Sequence, residues 1–335
     1  MRVWIVFHIL MLASATANAA DVCPGLDQQR AAPEVATRIA AYACHEHGLW
    51  YRPFIDRNGR IANSAITEAE AQPLGDGQTE AWRRVAGYWQ QSGVLRQVGQ
   101  LPGASECEGA AAGNYPSPAC RGFVIDNPWS AAFISWVLRK AGVPGFRASA
   151  SHITYVRDAY QRPETSAYQF VDPAHAKPGA GDMLCYVRNG NRTYGYEGLS
   201  SVVSAGSAGL EMHCEIVVAA SPDNDNTAYL ISGNVQQAVI MRLLPLNRNG
   251  EFWGLPYRNG GESLCAPDNE AACNVNRQDW AVLLKLKPAD VLAKLPGAAS
   301  LAPVPPEPSA TQAPTCCVHC VVGSGVPRCP PTGEP

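Results

Sequence analysis

Two periods of apolar and polar positions divide this chain of 335 residues. From Pro33 to Trp50, PEVATRIAAYACHEHGLW carries Val35, Ile39, Ala40 and Cys44 at helical spacing, which predicts a helix. TEAWRRVAGYWQQSG puts Trp82, Val85, Tyr88 and Trp89 on one stripe, with Gly93 as its stop. NPWSAAFISWVLRKAG predicts a third helix, with Asn127 as N-cap and Pro128 in the first helical position. SHITYVRDAYQ predicts a shorter fourth. After Pro178-Gly179 the pattern changes: GDMLCYVR, MHCEIVVAAS, TAYLISGNV, AVIMRLLPL and WAVLLKLK are short runs separated by Pro, Asp, Asn and Gly, and read as strands. Helices first and strands second, without βαβ alternation, predict an α+β domain over residues 33–288, its N-terminal helices packed on a mostly antiparallel sheet.

The ends of the chain read differently. Residues 1–20 have a basic Arg2, an apolar run from Val3 to about Leu12 and the small-residue pattern Ala17-Asn18-Ala19, the layout of a secretory signal peptide. The run falls short of the roughly 20 residues of a membrane span. The expected protein is therefore exported, periplasmic or extracellular, with no membrane span after signal removal. Residues 289–315 form a Pro/Ala-rich linker, and 316–335 a tail with Cys316, Cys317, His319, Cys320 and Cys329, for which a disulfide knot is favoured over a zinc site.

All 12 cysteines lie beyond the signal segment, so disulfides are expected. Proximity points to Cys107 with Cys120 and Cys265 with Cys273; Cys185 and Cys214, inside strand patterns, are either buried thiols or bridged to each other. A net charge of −3 with 16% charged residues offers no basic surface for nucleic acid. His45 and His47 stand two apart on a helix and do not face each other, so no metal site is expected there. No cofactor is implied.

The chemistry centres on Ser130. In the first turn of its helix it heads the apolar row Ile134, Val137 and Ala141, so it faces the core or a cleft, where backbone N–H groups favour an anion. An alcohol there needs a base during attack. Strand alternation puts His213 and Glu215 on one face and Cys214 on the other. Asn234 ends the following strand, where it could orient an imidazole. The order nucleophile, histidine, amide is the papain-like order. Ser130 as a local first-turn residue, and Glu215 as an alternative orienter or an ion-pair partner, stand beside this reading. Trp129, His152 and Glu215 are candidates to line the substrate cleft.

At these residues the segment resembles the CHAP and NlpC types of papain-like cell-wall hydrolase. In several of them the helix begins Trp-Cys-Ala-Ala-Phe-Val, and Trp129 to Ile134 match with serine in place of cysteine. More closely, the chain from about 34 to 288 resembles an uncharacterised family of bacterial exported proteins, through PWSAAFISWVLRKAG, SHITYV, PGAGDMLCYVR, HCEIVV and ISGNV. The resemblance implies a papain-like fold, Ser130 in the nucleophile slot, His213 as base, Asn234 as orienter, and a cell-wall peptide or other peptide as ligand. The expected function is amide or peptide-bond hydrolysis; the alternative is a catalytically inactive domain that binds the same ligands.

Overall fold

The computed structural model describes residues 21–298, apart from positions within 112–115, 190–191, 207–208, 253 and 259–264. The signal segment and the cysteine tail lie outside the described residues. α1 (Cys23–Asp27) is fastened by the Cys23–Cys44 disulfide to α2 (Val35–Leu49). A two-residue-per-strand hairpin follows, β1 (Phe54–Ile55) and β2 (Ile61–Ala62), and then α3 (Ala81–Gln91), which buries Trp82, Val85, Tyr88 and Trp89. α4 (Ala104–Ala110) and α5 (Pro118–Asp126) are bridged by Cys107–Cys120. Their Gly- and Ala-rich sequence gave no apolar stripe to read. α6 (Ser130–Lys140) and α7 (His152–Gln161) complete the leading helices.

The strands are β3 (Tyr168–Val171), β4 (Met183–Val187), β5 (Met212–Ala220), β6 (Thr227–Val235), β7 (Ala238–Pro245) and β8 (Asp279–Leu286). α8 (Gly195–Ser204) separates β4 from β5, and α9 (Ala289–Leu292) follows β8. The eight strands form one sheet in the order β2-β1-β7-β6-β5-β4-β8-β3. It is mixed: β1 runs parallel to β7, and the other neighbours are antiparallel.

Period-two alternation gives the sheet two apolar faces, which is why β4 and the first seven residues of β5 are buried throughout. One face, with Met183, Cys185, Cys214, Ile216 and Ile231, joins the helices in the principal core. The other, with Leu184, Tyr186, Val217, Leu230 and Trp280, is closed by Leu246, Phe252 and Leu255 from the excursion between β7 and β8. Cys185 and Cys214 are direct cross-strand partners and form a disulfide; Cys265 and Cys273 form the fourth. Among the described residues no helix is long and apolar enough to cross a membrane, and the four disulfides fit an exported protein.

Two sequence expectations are corrected. Asn127 closes α5 instead of capping α6: its backbone is extended (φ −121°, ψ 122°), as a residue before proline favours, and its Nδ2 donates to Phe123 O at 2.8 Å. Trp129 takes the N-cap position, and Ser130 is the first helical residue. The packed body also extends beyond 33–288. Cys23 is buried at one end, and Leu292 and Leu295 at the other, where Gly145 N–H donates to Pro296 O at 3.0 Å. Apolar side chains at helical spacing carry the fold into a stretch whose composition alone reads as linker.

Candidate functional site

Local packing fixes the start of α6 before any chemistry enters. Trp129 is fully buried and stacks on Trp50 and on Tyr88, each at a centroid separation of 5.7 Å. Behind the stack Glu46 is ion-paired with Arg84 and accepts from Tyr88 OH at 2.5 Å, while Trp50 Nε1 donates to Tyr88 OH at 3.1 Å. β6 approaches so closely that a Cβ on Gly233 would lie 2.4 Å from the Trp129 ring and 2.7 Å from Phe133. Trp129, a candidate substrate contact by sequence, is thus a core residue that sets where the helix begins.

Ser130 follows, 4% exposed, in a first turn that no side chain caps. Its N–H groups leave the positive end of the helix beside the hydroxyl. Ser130 Oγ and His152 Nε2 are hydrogen-bonded at 2.7 Å. His152 reaches that position because Ser135 on α6 holds the chain just before α7: its hydroxyl donates to Ser149 O at 3.0 Å and accepts from Ser149 N–H at 3.1 Å. His152 Nδ1 is hydrogen-bonded to Tyr155 OH, one turn along the same helix. Burial, and secondarily Arg188, push the His152 pKa down to about 3. Burial raises the Tyr155 phenol well above its ordinary value. Both groups are therefore neutral near pH 7.

A second imidazole stands against the first. His213, the second residue of β5, has its ring centroid 5.2 Å from that of His152 and 5.2 Å from that of Tyr186. Its Nε2 is hydrogen-bonded to Ser232 Oγ at 3.1 Å, and its buried Nδ1 has no partner among the described residues. Burial first, then His152, Arg188 and Arg242, hold it well below the usual histidine range. Glu215 shares the strand face of His213, but its two carboxylate oxygens accept from Arg242 Nε at 3.0 and 2.8 Å, and the nearer approach to His213 Nε2 is 3.8 Å. Arg242 also donates to Val275 O at 2.7 Å and Asn276 Oδ1 at 2.9 Å. Glu215 is the ion-pair partner of Arg242, the compensation that a fully buried carboxylate needs.

Of the sequence-predicted set, Ser130, His152 and His213 come together. Asn234 does not orient His213. It is half-buried in the left-handed region (φ 58°), inside the stretch between Ser232 and Val235 where the β6–β7 register shifts, and Ser232 takes the Nε2 in its place. His152 moves from the cleft lining to the direct partner of the hydroxyl. Tyr155, Ser232 and Arg242 were not anticipated; Tyr155 could have been found from its spacing of three from His152 on a helix. Glu68, in an irregular stretch and 3% exposed, has its carboxyl pushed up to about 7 by burial, and nothing in its sequence context marks it. Among the described residues no cluster of three or more His, Cys, Asp or Glu could hold a metal ion.

Chemically, the arrangement pairs an alcohol with an uncharged imidazole next to a helix N-terminus, with a second uncharged imidazole behind it. No curated protein and no solved structure matches the chain. The family described as an uncharacterized protein conserved in bacteria, DUF2272, matches residues 76–286, a span that takes in Ser130, His152, Tyr155, His213, Ser232 and Arg242. That match covers well over half of the sequence, and the chain belongs to this family.

Proposed function

We propose that the protein is an exported hydrolase of amide or peptide bonds, acting on bacterial cell-wall peptide, with Ser130 as nucleophile and His152 as its base. The observation that carries this reading is the 2.7 Å hydrogen bond between Ser130 Oγ and His152 Nε2 at a helix start. A serine is inert until a base takes its proton during attack, and the role requires the tautomer in which His152 Nδ1–H donates to the Tyr155 oxygen, so that Nε2 accepts from Ser130. The papain-like expectation is supported in outline by α6 packing on β5 and β6, with the nucleophile opening the helix and a histidine opening the strand. The base differs, being His152 in place of His213.

In the reaction, Ser130 Oγ bonds to the acyl carbon as its proton passes to His152 Nε2. Collapse of the tetrahedral adduct returns that proton to the leaving amine, and water repeats the sequence on the acyl-serine. Tyr155 positions the imidazole but supplies no negative charge to the imidazolium, unlike a carboxylate. A specific observation therefore favours a second reading, that of a binding domain without turnover: His152 is fully buried, with its pKa at about 3, and its partner is a phenol.

Release of new amino termini from peptidoglycan distinguishes the two. The hydrolase reading expects release by the wild type and its loss by several orders of magnitude in Ser130→Ala. An inert wild type that gains activity as Ser130→Cys establishes the binding reading. Equal activity of wild type and Ser130→Ala places the nucleophile elsewhere.

A further inference from the structure

The hydrogen-bond partners within reach of His213 decide which of its nitrogens carries the proton. Ser232 is 1% exposed, and its hydroxyl hydrogen has one acceptor within reach among the described residues, His213 Nε2 at 3.1 Å. Glu215 does not compete, since its oxygens are engaged by Arg242 and the contact to Nε2 is 3.8 Å. If Nε2 were protonated it would donate to Ser232. That would strand two buried groups, the Ser232 hydroxyl hydrogen and the Nδ1 lone pair. If Nδ1 is protonated, Ser232 donates to Nε2 and one group remains, the Nδ1–H. Each stranded buried polar group costs free energy, so the second arrangement is the stable one. It leaves a buried N–H donor with no acceptor beside the imidazole that holds the nucleophile.

We infer that His213 acts as a neutral hydrogen-bond donor, its Nδ1–H binding the acyl oxygen of the substrate as Ser130 attacks. The inference rests on the hydrolase reading of Ser130 and His152. When the Ser130 Oγ–carbon bond forms, the carbonyl π pair moves onto the oxygen, while the hydroxyl proton goes to His152. The oxygen then carries the charge that a fixed N–H stabilises, alongside the first-turn amides of α6. Neutrality is what the role needs, because an imidazolium there would also oppose protonation of His152. Burial enforces it first, with Tyr186 packed on the ring, and His152 on α7, Arg188 just after β4 and Arg242 on β7 further disfavour its cation. Glu215, the nearest carboxylate, is already compensated by Arg242.

The tautomer is directly observable. In long-range nitrogen–proton NMR spectra of the purified chain with labelled histidine, His213 is expected to show a protonated Nδ1 and a bare Nε2 from pH 5 to 8, and Ser232→Ala is expected to mix the tautomers. A protonated Nε2 in the wild type overturns the proposal whatever the activity. In the peptidoglycan assay, His213→Ala is expected to lower kcat by about a hundred- to a thousandfold with little change in KM, and His213→Gln, which retains an N–H donor, to recover part of it. Full activity of His213→Ala beside an inert Ser130→Ala removes this role and leaves the hydrolase reading standing. Identical inertness of the wild type and Ser130→Ala removes the hydrolase reading itself, and this role with it.

Discussion

Burying His152 without a compensating negative charge predicts a specific acid sensitivity. Its folded pKa is about 3, against 6.5 in an unfolded chain. The unfolded state therefore binds the proton more tightly. The stability that the neutral imidazole contributes is complete above pH 6.5 and is lost as pH falls toward 3. Each unit of difference is worth ~1.4 kcal/mol, so going from pH 7 to pH 5 removes ~2 kcal/mol through His152 alone. For a chain of this size that is about 4–8 °C in Tm. The raw slope is no clean measure, because His213 and His47, also held low by burial, add to it, while Glu68 opposes it: its raised pKa contributes stability at low pH that is lost as pH rises toward 7. His152→Gln isolates the imidazole. Urea unfolding at pH 7, 6 and 5 is expected to show the wild type losing ~2 kcal/mol more than His152→Gln over that range. Equal losses in both proteins would mean that His152 is hydrated or ion-paired, and the closed Ser130–His152 site would be refuted.

Three further outcomes follow from packing and charge. Gly233→Ala, which drives a Cβ to 2.4 Å from the Trp129 ring, is expected to cost about 1–3 kcal/mol in urea melts and to disturb indole fluorescence; a neutral effect would mean that β6 and α6 are not in close contact. Arg242→Leu leaves the buried Glu215 carboxylate uncompensated and is expected to cost ~3–5 kcal/mol, checked by the same melts, with partial recovery when Glu215→Leu is added. From its Pro/Ala-rich composition, the stretch up to Thr315 is expected to be cut in limited proteolysis of the full chain, leaving a core ending after Leu295, which mass spectrometry reads directly; cutting before Leu292 would mean that α9 does not dock.

How much of this was written in the sequence differs by element. α2, α3, α6 and α7 and the five strands β4 to β8 announce themselves through apolar period, because each buries one stripe or face. The Cys107–Cys120 and Cys265–Cys273 bridges were legible for their short separations of 13 and 8 residues, whereas Cys23–Cys44 joins segments with no such cue. The site was half legible. Ser130 at a helix start and His213 on an alternating strand are local facts. That His152 meets Ser130 is not local, since it depends on Ser135 fastening the turn before α7. Asn234 failed for a related reason: counting along β6 cannot foresee that Ser232, two residues earlier, meets the imidazole, or that the chain takes a left-handed turn at Asn234.

Covalent capture of the Ser130 hydroxyl tests, without assuming a substrate, whether His152 activates it. The purified chain would be incubated with a fluorophosphonate reagent, digested, and the peptide containing Ser130 weighed by mass spectrometry. One adduct per chain is expected, on Ser130, formed by the wild type and lost in His152→Ala while circular dichroism stays unchanged. Labelling of Ser130 that persists in His152→Ala, or a wild type that remains unlabelled, would contradict it.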